Sequence, residues 1–263
     1  MSIIGKVDSL WRYPVKSMRG EELSEAFLGF SGVYGDRIFA FKSSANPKGF
    51  PYLTAREQQR MLRYQPRFRD PEKAARPINL TEAQSMAPGL NPAPADPTDL
   101  MVDVQTPSGE FIAIDDPRLI RQLGDGIGAE HHLSLVWSDR ALADCRPVSL
   151  FSLQSAQQLA EELGTAVDQR RFRANVYLDL TSAGGFGEDA FVGRSVRIGS
   201  KAVVAVLERD PRCKMITLDP ETGASGPQFL RAVAQAHQGM AGVYAAVLVE
   251  GTVRKGDPVE LSN

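Results

Sequence analysis

Short apolar, β-rich runs broken every few positions by Gly or Pro set the strongest limit on the fold. Residues 3–13, 23–30, 37–41, 100–105, 110–114, 133–137, 176–180, 193–199, 201–207, 242–250 and 258–261 all carry that pattern. Helical signals are fewer. Residues 151–163 have an apolar stripe with Ser152 to cap it and Gly164 to stop it, and Pro117 and Pro227 each open a candidate first turn, the two helices reaching about Leu123 and Ala236. A shorter helix is expected from Thr54 to Leu62, with Glu57 completing a capping box. No strand–helix–strand repeat recurs, which argues against a doubly wound sheet. The expected class is mainly β (α+β), a barrel-like fold with peripheral helices. Thr106-Pro107-Ser108-Gly109 marks a hairpin, and the Pro/Ala-rich residues 83–97 read as a flexible surface excursion.

With 263 residues, 43% of them hydrophobic, the chain can bury a core without staples. A formal charge of −2 and a pI near 6.0 exclude whole-surface attraction to nucleic acid. The two cysteines, Cys145 and Cys213, form neither a finger spacing nor a disulfide framework, which suits a reducing, cytoplasmic setting. No secretory signal opens the chain, and the longest apolar stretch, 240–249, is half the roughly 20 residues that a membrane helix needs, so a soluble protein without a membrane partner is expected. His131 and His132 are strand neighbours that point to opposite faces, and His237 sits at a helix end; a histidine metal site is rejected.

The chemistry concentrates around Cys213. It follows the β-branched run 202–207 and leads into a second short run, 215–218, closed by an Asp-Pro-x-Thr-Gly turn. Arg209, Arg212 and Lys214 favour its thiolate, the form that binds metals, while Glu208 and Asp210 oppose it. The alternative is a small buried core residue. Lys16 and Ser17 fall in the loop after the first strand, where an ammonium and a hydroxyl can meet one anion or form a plain solvated turn. Arg37 suits a phosphate through its planar fork, or else pairs with Asp36 or Glu22. The basic cluster 170–175 is open to the same two readings, and the glycine-rich residues 182–189 lack the ending of a nucleotide loop and read as a mobile lip.

Four segments carry a family resemblance: Leu10-Trp11-Arg12-Tyr13-Pro14-Val15-Lys16-Ser17 with Gly35-Asp36-Arg37; Arg171-Phe172-Arg173-Ala174-Asn175; Arg212-Cys213 with Thr217, Asp219-Pro220 and Thr222-Gly223; and the closing residues 253–259. Together they resemble the MOSC domain, preceded by the β-domain found in the mitochondrial amidoxime reducing component family and its bacterial relatives. The resemblance implies a MOSC-type β-barrel over 119–263 and a β-rich N-terminal domain over 1–118. It implies the molybdenum cofactor in its molybdopterin form. Cys213 is then the metal ligand and catalytic residue, and Lys16, Ser17, Arg37, Arg173, Asn175 and Arg212, drawn from both halves of the chain, bind the cofactor. Ala174 stands where the family has a proline, so this loop is expected to be less rigid. The implied activity is reduction of a small N-hydroxylated substrate. With no fused ferredoxin cysteines before Asn263, electrons are expected from an external ferredoxin- or flavin-type donor protein. The alternatives are a sulfur or cofactor carrier using Cys213, and an anion-binding module in which Cys213 is inert.

Overall fold

The computed structural model describes residues 2–86, 92–181 and 184–261; part of the Pro/Ala-rich excursion (87–91) and the start of the glycine-rich lip (182–183) lie outside them. The chain forms two compact units, one of Met1–Arg12, Gly20–Val33 and Ala143–Asn263, the other of Tyr13–Arg19 and Tyr34–Leu142. Neither unit is continuous in sequence.

The first unit is a closed barrel of seven strands. Around it run Val176–Leu180, Val148–Ser152, Met240–Val249, Ala202–Pro211, Ser195–Ile198, Pro258–Leu261 and Ser2–Arg12, which pairs back onto Val176–Leu180. Every neighbour is antiparallel except Val148–Ser152 beside Val176–Leu180. That parallel pair needs a crossover, which the helix Leu153–Leu163 supplies. Ser152 caps it by accepting from the Ser155 amide, and Gly164 ends it in the left-handed region, as its sequence indicates. Alternate residues point inward, so Val7, Leu10, Leu150, Val176, Leu178, Val204, Val243 and Val259 are buried together. Each such side chain contributes about 1.5–3 kcal/mol by leaving water. At the closing seam Gly5 lies against the opposite backbone, where a Cβ would stand 2.3 Å from the Asp179 carbonyl oxygen. A side chain there would open the barrel.

The second unit is built from smaller sheets. Phe39–Ser43 pairs with Leu133–Trp137, and Gln65–Phe68, Val102–Gln105 and Phe111–Ala113 form an antiparallel sheet that contains the expected hairpin. The helix Pro117–Gly124 starts on Asp116, whose carboxylate accepts from the Arg118 amide. No described helix is long and apolar enough to cross a membrane.

Local expectations fail where hydrogen bonds outweigh pattern. Residues 214–217 form a 3-10 turn and not a strand, closed by the Ile216 amide on the Cys213 carbonyl (3.2 Å) and the Thr217 hydroxyl on the Lys214 carbonyl (2.8 Å). Only half of the Thr54/Glu57 box forms: the Thr54 amide donates to Glu57 Oε2 at 2.9 Å, but the Glu57 amide bonds to the Thr54 carbonyl, and the 3-10 helix Gln59–Arg63 starts one turn later. The run 23–30 is split at Ser24 into Glu21–Leu23 and Glu25–Gly29, and Gly251–Arg254, which lacks an alternating signal, pairs with the latter.

Candidate functional site

Lys16 and Ser17 are the central pair of a β-turn in the second unit, closed by the Met18 amide on the Val15 carbonyl (3.1 Å). Ser17 has φ 67°, a conformation that glycine or asparagine normally fills. Both side chains are buried. Lys16 Nζ donates to the Leu142 carbonyl at 2.6 Å and lies 5.2 and 5.3 Å from the ring centroids of Phe50 and Tyr52. Such placement sets the ammonium against two aromatic faces.

Arg37 belongs to the same unit and is also left-handed, at φ 49°. Its amide donates to the Tyr13 carbonyl (2.7 Å), and its guanidinium lies 4.7 Å from the Tyr13 ring centroid. Asp36 is its ion-pair partner, one of the two acids the sequence offers, and also accepts from the Tyr13 amide at 2.8 Å. Asp36 thus locks the loop to the end of the first strand. Sequence reading treated it only as a charge partner; its spacing from Tyr13 carries no signal for the second bond.

In the barrel unit, Cys213 follows the long strand Ala202–Pro211 and is half-buried, extended at φ −116°, ψ −176°. The Arg212 side chain is buried and held from three sides. Its Nε donates to the Ala241 carbonyl (2.6 Å), its Nη1 to the Phe172 carbonyl (3.0 Å), and Nη1 lies 2.8 Å from Asp210 Oδ2. Its Nη2 is buried with no hydrogen-bond partner. Room for this arginine comes from Gly242, at φ 77°, where a Cβ would meet the Leu150 carbonyl at 2.8 Å and Arg212 Nη2 at 3.0 Å. Glu208, the other acid close to Cys213 in sequence, is engaged with Arg146 (2.9 Å), and Arg209 pairs with Asp189 (2.8 Å). Burial nonetheless raises the Asp189 carboxyl above its ordinary range, against the pull of Arg209.

Arg173 ends the 3-10 helix Gln169–Phe172 in the left-handed region, φ 51°, ψ 36°. Asn175, two residues on, is a staple. Its side-chain oxygen accepts from the amide and hydroxyl of Ser149 (3.2 and 3.3 Å), and its amide nitrogen donates to the Trp11 carbonyl (3.3 Å). Those bonds tie three barrel strands and leave one amide N–H outside them.

The Asp-Pro-x-Thr-Gly turn has a mechanical role. Asp219 Oδ1 accepts from the Glu221 amide and from the amide and hydroxyl of Thr222, and Arg171 Nη2 reaches Asp219 Oδ2 at 3.0 Å. Although burial pushes the carboxyl up, these bonds and Arg171 hold it below its ordinary value. Arg171 also donates to the Thr217 carbonyl (3.2 Å) and covers Phe229 at 4.1 Å. It is the residue that sequence reading missed; its place in a run of three arginines hid it.

Lys16, Ser17 and Arg37 therefore sit in one unit, and Arg173, Asn175, Arg212 and Cys213 in the other. Among the described residues no group of three or more His, Cys, Asp or Glu side chains could hold a metal ion.

Comparison with known proteins adds a lineage. The MOSC domain matches residues 138–260, and the MOSC N-terminal beta barrel domain matches 4–110. The chain is 24% identical to mitochondrial amidoxime-reducing component 1 of Mus musculus, over 98% of this chain and 82% of that one. Among solved structures it is similar to YuaD from Bacillus subtilis, with a TM-score of 0.48 and 12% identity over 98% of this chain and 94% of that one. YiiM from Geobacillus stearothermophilus matches with a TM-score of 0.36 and 22% identity, over 45% of this chain and 55% of that one.

Proposed function

From the premise that the chain belongs to the MOSC-domain proteins and carries the MOSC N-terminal beta barrel domain, we propose that it is a molybdenum-cofactor oxidoreductase that reduces N-hydroxylated compounds. Electrons come from a separate donor protein of ferredoxin or flavin type. The mouse relative is named for the reduction of amidoximes, one class of N-hydroxylated compound, and the reading extends that name to this chain.

One observation carries it. Among the described residues, the non-glycine residues with positive φ are Ser17, Arg37, Arg173, Phe186 and Gln238. Three of these five were singled out from sequence as cofactor ligands. Left-handed backbone costs a residue with a side chain about 1–2 kcal/mol, and such strain gathers where a side chain must be aimed at a ligand.

The donor set fits an anionic pterin cofactor. Arg212 Nη2 is a buried cationic donor with no hydrogen-bond partner, directly before the half-buried thiol of Cys213. In this reading Lys16, Ser17 and Arg37 take the phosphate, and Arg173, Asn175 and Arg212 contact the pterin. Cys213 supplies the thiolate ligand, which suits a polarisable metal. When bound, the cofactor supplies the redox chemistry by which two electrons and two protons remove the N–OH oxygen as water. The chain's own part is orientation. Tyr13 and Asp36 hold the Arg37 guanidinium, while Asp210 and two carbonyls hold that of Arg212.

The test is turnover of an amidoxime by protein made in cells that synthesise the cofactor, with a reduced viologen dye as electron source. Amine product from the parent, abolished by Cys213→Ser, is the expected result. Cofactor-loaded parent without turnover would replace the reductase reading with the carrier.

A further inference from the structure

Among the described residues, two of the non-glycine residues with positive φ have no part in the cofactor reading: Phe186 (φ 61°) and Gln238 (φ 59°). They stand on the two sides of one contact. We propose that Phe186, Arg209 and His237 are positioning residues, a clasp that fastens the lip 184–191 to the turn 237–239 and so fixes the main chain that presents Cys213. All of them lie in the barrel unit. A left-handed backbone in a residue with a side chain persists where its surroundings over-determine it, and here both strained residues are held by several bonds.

The lip is pinned at the start of the helix Leu153–Leu163. Glu188 is fully buried, and its carboxylate accepts from the Ser152 amide (3.2 Å), the Ser152 hydroxyl (2.6 Å) and the Ser155 hydroxyl (2.8 Å). The Phe186 amide donates to the Ser155 hydroxyl oxygen at 2.7 Å. From that anchored backbone the Phe186 ring stacks on the His237 imidazole, with centroids 3.6 Å apart and planes 16° from parallel. His237 Nε2 lies 2.9 Å from Glu162 Oε2, near the end of the same helix, and this contact sets the orientation of the imidazole.

A single guanidinium completes the clasp. Arg209 lies 2.8 Å from Asp189 on the lip side, and on the turn side it donates to the His237 carbonyl (3.2 Å) and to Gln238 Oε1 (3.0 Å). A planar fork serves acceptors on both sides at once, which a lysine ammonium cannot do with the same geometry. The turn then reaches the cysteine: the Gly239 carbonyl accepts from the Arg212 amide at 2.8 Å, and Pro211 is in register with Met240. Apolar packing runs the same way, because Phe186 rests on the cluster that contains Ile216, in the turn that follows Cys213. Cys213 is half-buried, so a loosened loop would expose its thiol.

The functional importance of Cys213 rests on the reductase reading; the geometry of the clasp does not, so the test uses full-length protein made without the cofactor. Alkylation of Cys213 and of the exposed Cys145 by iodoacetamide is followed peptide by peptide with mass spectrometry. Phe186→Ala, His237→Ala and Arg209→Lys should each raise the Cys213 rate by about fivefold, the equilibrium effect of one lost aromatic or charged contact, while Cys145 keeps its parent rate. Phe186→Tyr keeps the ring and should stay within about twofold of the parent. Because Phe186 and His237 act through one contact, the variant carrying both alanine substitutions should react no faster than the faster single one. The Cys213 rate should also stay flat in urea too dilute to unfold the protein, as local opening does. Parent-like Cys213 rates in all three single variants, equal acceleration at both cysteines, multiplied effects in the double variant, or a Cys213 rate that climbs with dilute urea would each overturn the proposal.

Discussion

The two cationic clusters are built by opposite means. Lys16, Ser17 and Arg37 stand on a turn and a loop whose backbone is left-handed at two positions, with aromatic rings of Tyr13, Phe50 and Tyr52 behind the charges. Arg212 follows the end of the barrel strand Ala202–Pro211, and its geometry comes from what its guanidinium touches: Asp210 and the carbonyls of Ala241 and Phe172. The first cluster is positioned through main-chain conformation, the second through side-chain bonds. Their responses to mutation should therefore differ in kind.

Asp210→Ala should have the largest effect. It strands a buried guanidinium, and breaking such a pair costs roughly 3–5 kcal/mol, read as a lowered denaturant midpoint. Gly242→Ala comes next, at about 3 kcal/mol, because a methyl group would combine a left-handed backbone with overlap on Leu150 and Arg212. The same denaturant series measures it, and loss of the parent near-ultraviolet dichroism would show that the barrel wall has shifted. Ser17→Gly is the counter-case: the turn suits glycine, so stability should change by no more than about 1 kcal/mol, while cofactor retention falls. A large loss of stability in that variant would erase the contrast between the clusters.

Asp219→Asn should be the smallest and the most dependent on pH. The folded carboxyl is held below its ordinary value, so its contribution is fully present above the unfolded pKa and is lost as pH falls through the folded one. At neutral pH the variant should be less stable by about 1 kcal/mol. The gap should close on acidification below about pH 4, and a gap constant with pH would show that the turn does not use the charge.

Much of this was legible in the chain. The Ser152 cap, the Pro117 first turn and the Gly164 stop are local signals, and each was built as written. The barrel as a mainly β class followed from many short strands. What was not legible depends either on local hydrogen bonds that compete with the apolar pattern or on partners far apart in sequence. That residues 214–217 coil into a 3-10 turn is decided by bonds to Cys213 and Lys214 carbonyls, against their apolar pattern. The double duty of Asp36 and the place of Arg171 under Asp219 appear only once strands have brought loops together. Strain at Ser17, Arg37 and Arg173 leaves no trace in residue type, because serine and arginine are ordinary loop residues.

The measurement that bears most directly on the central claim is molybdenum per chain, in parent protein and Cys213→Ser purified side by side from cells that make the cofactor. The account predicts metal approaching one per chain in the parent and little in the variant, with unchanged folding. Empty parent protein, under conditions that load a known molybdenum enzyme, would contradict it.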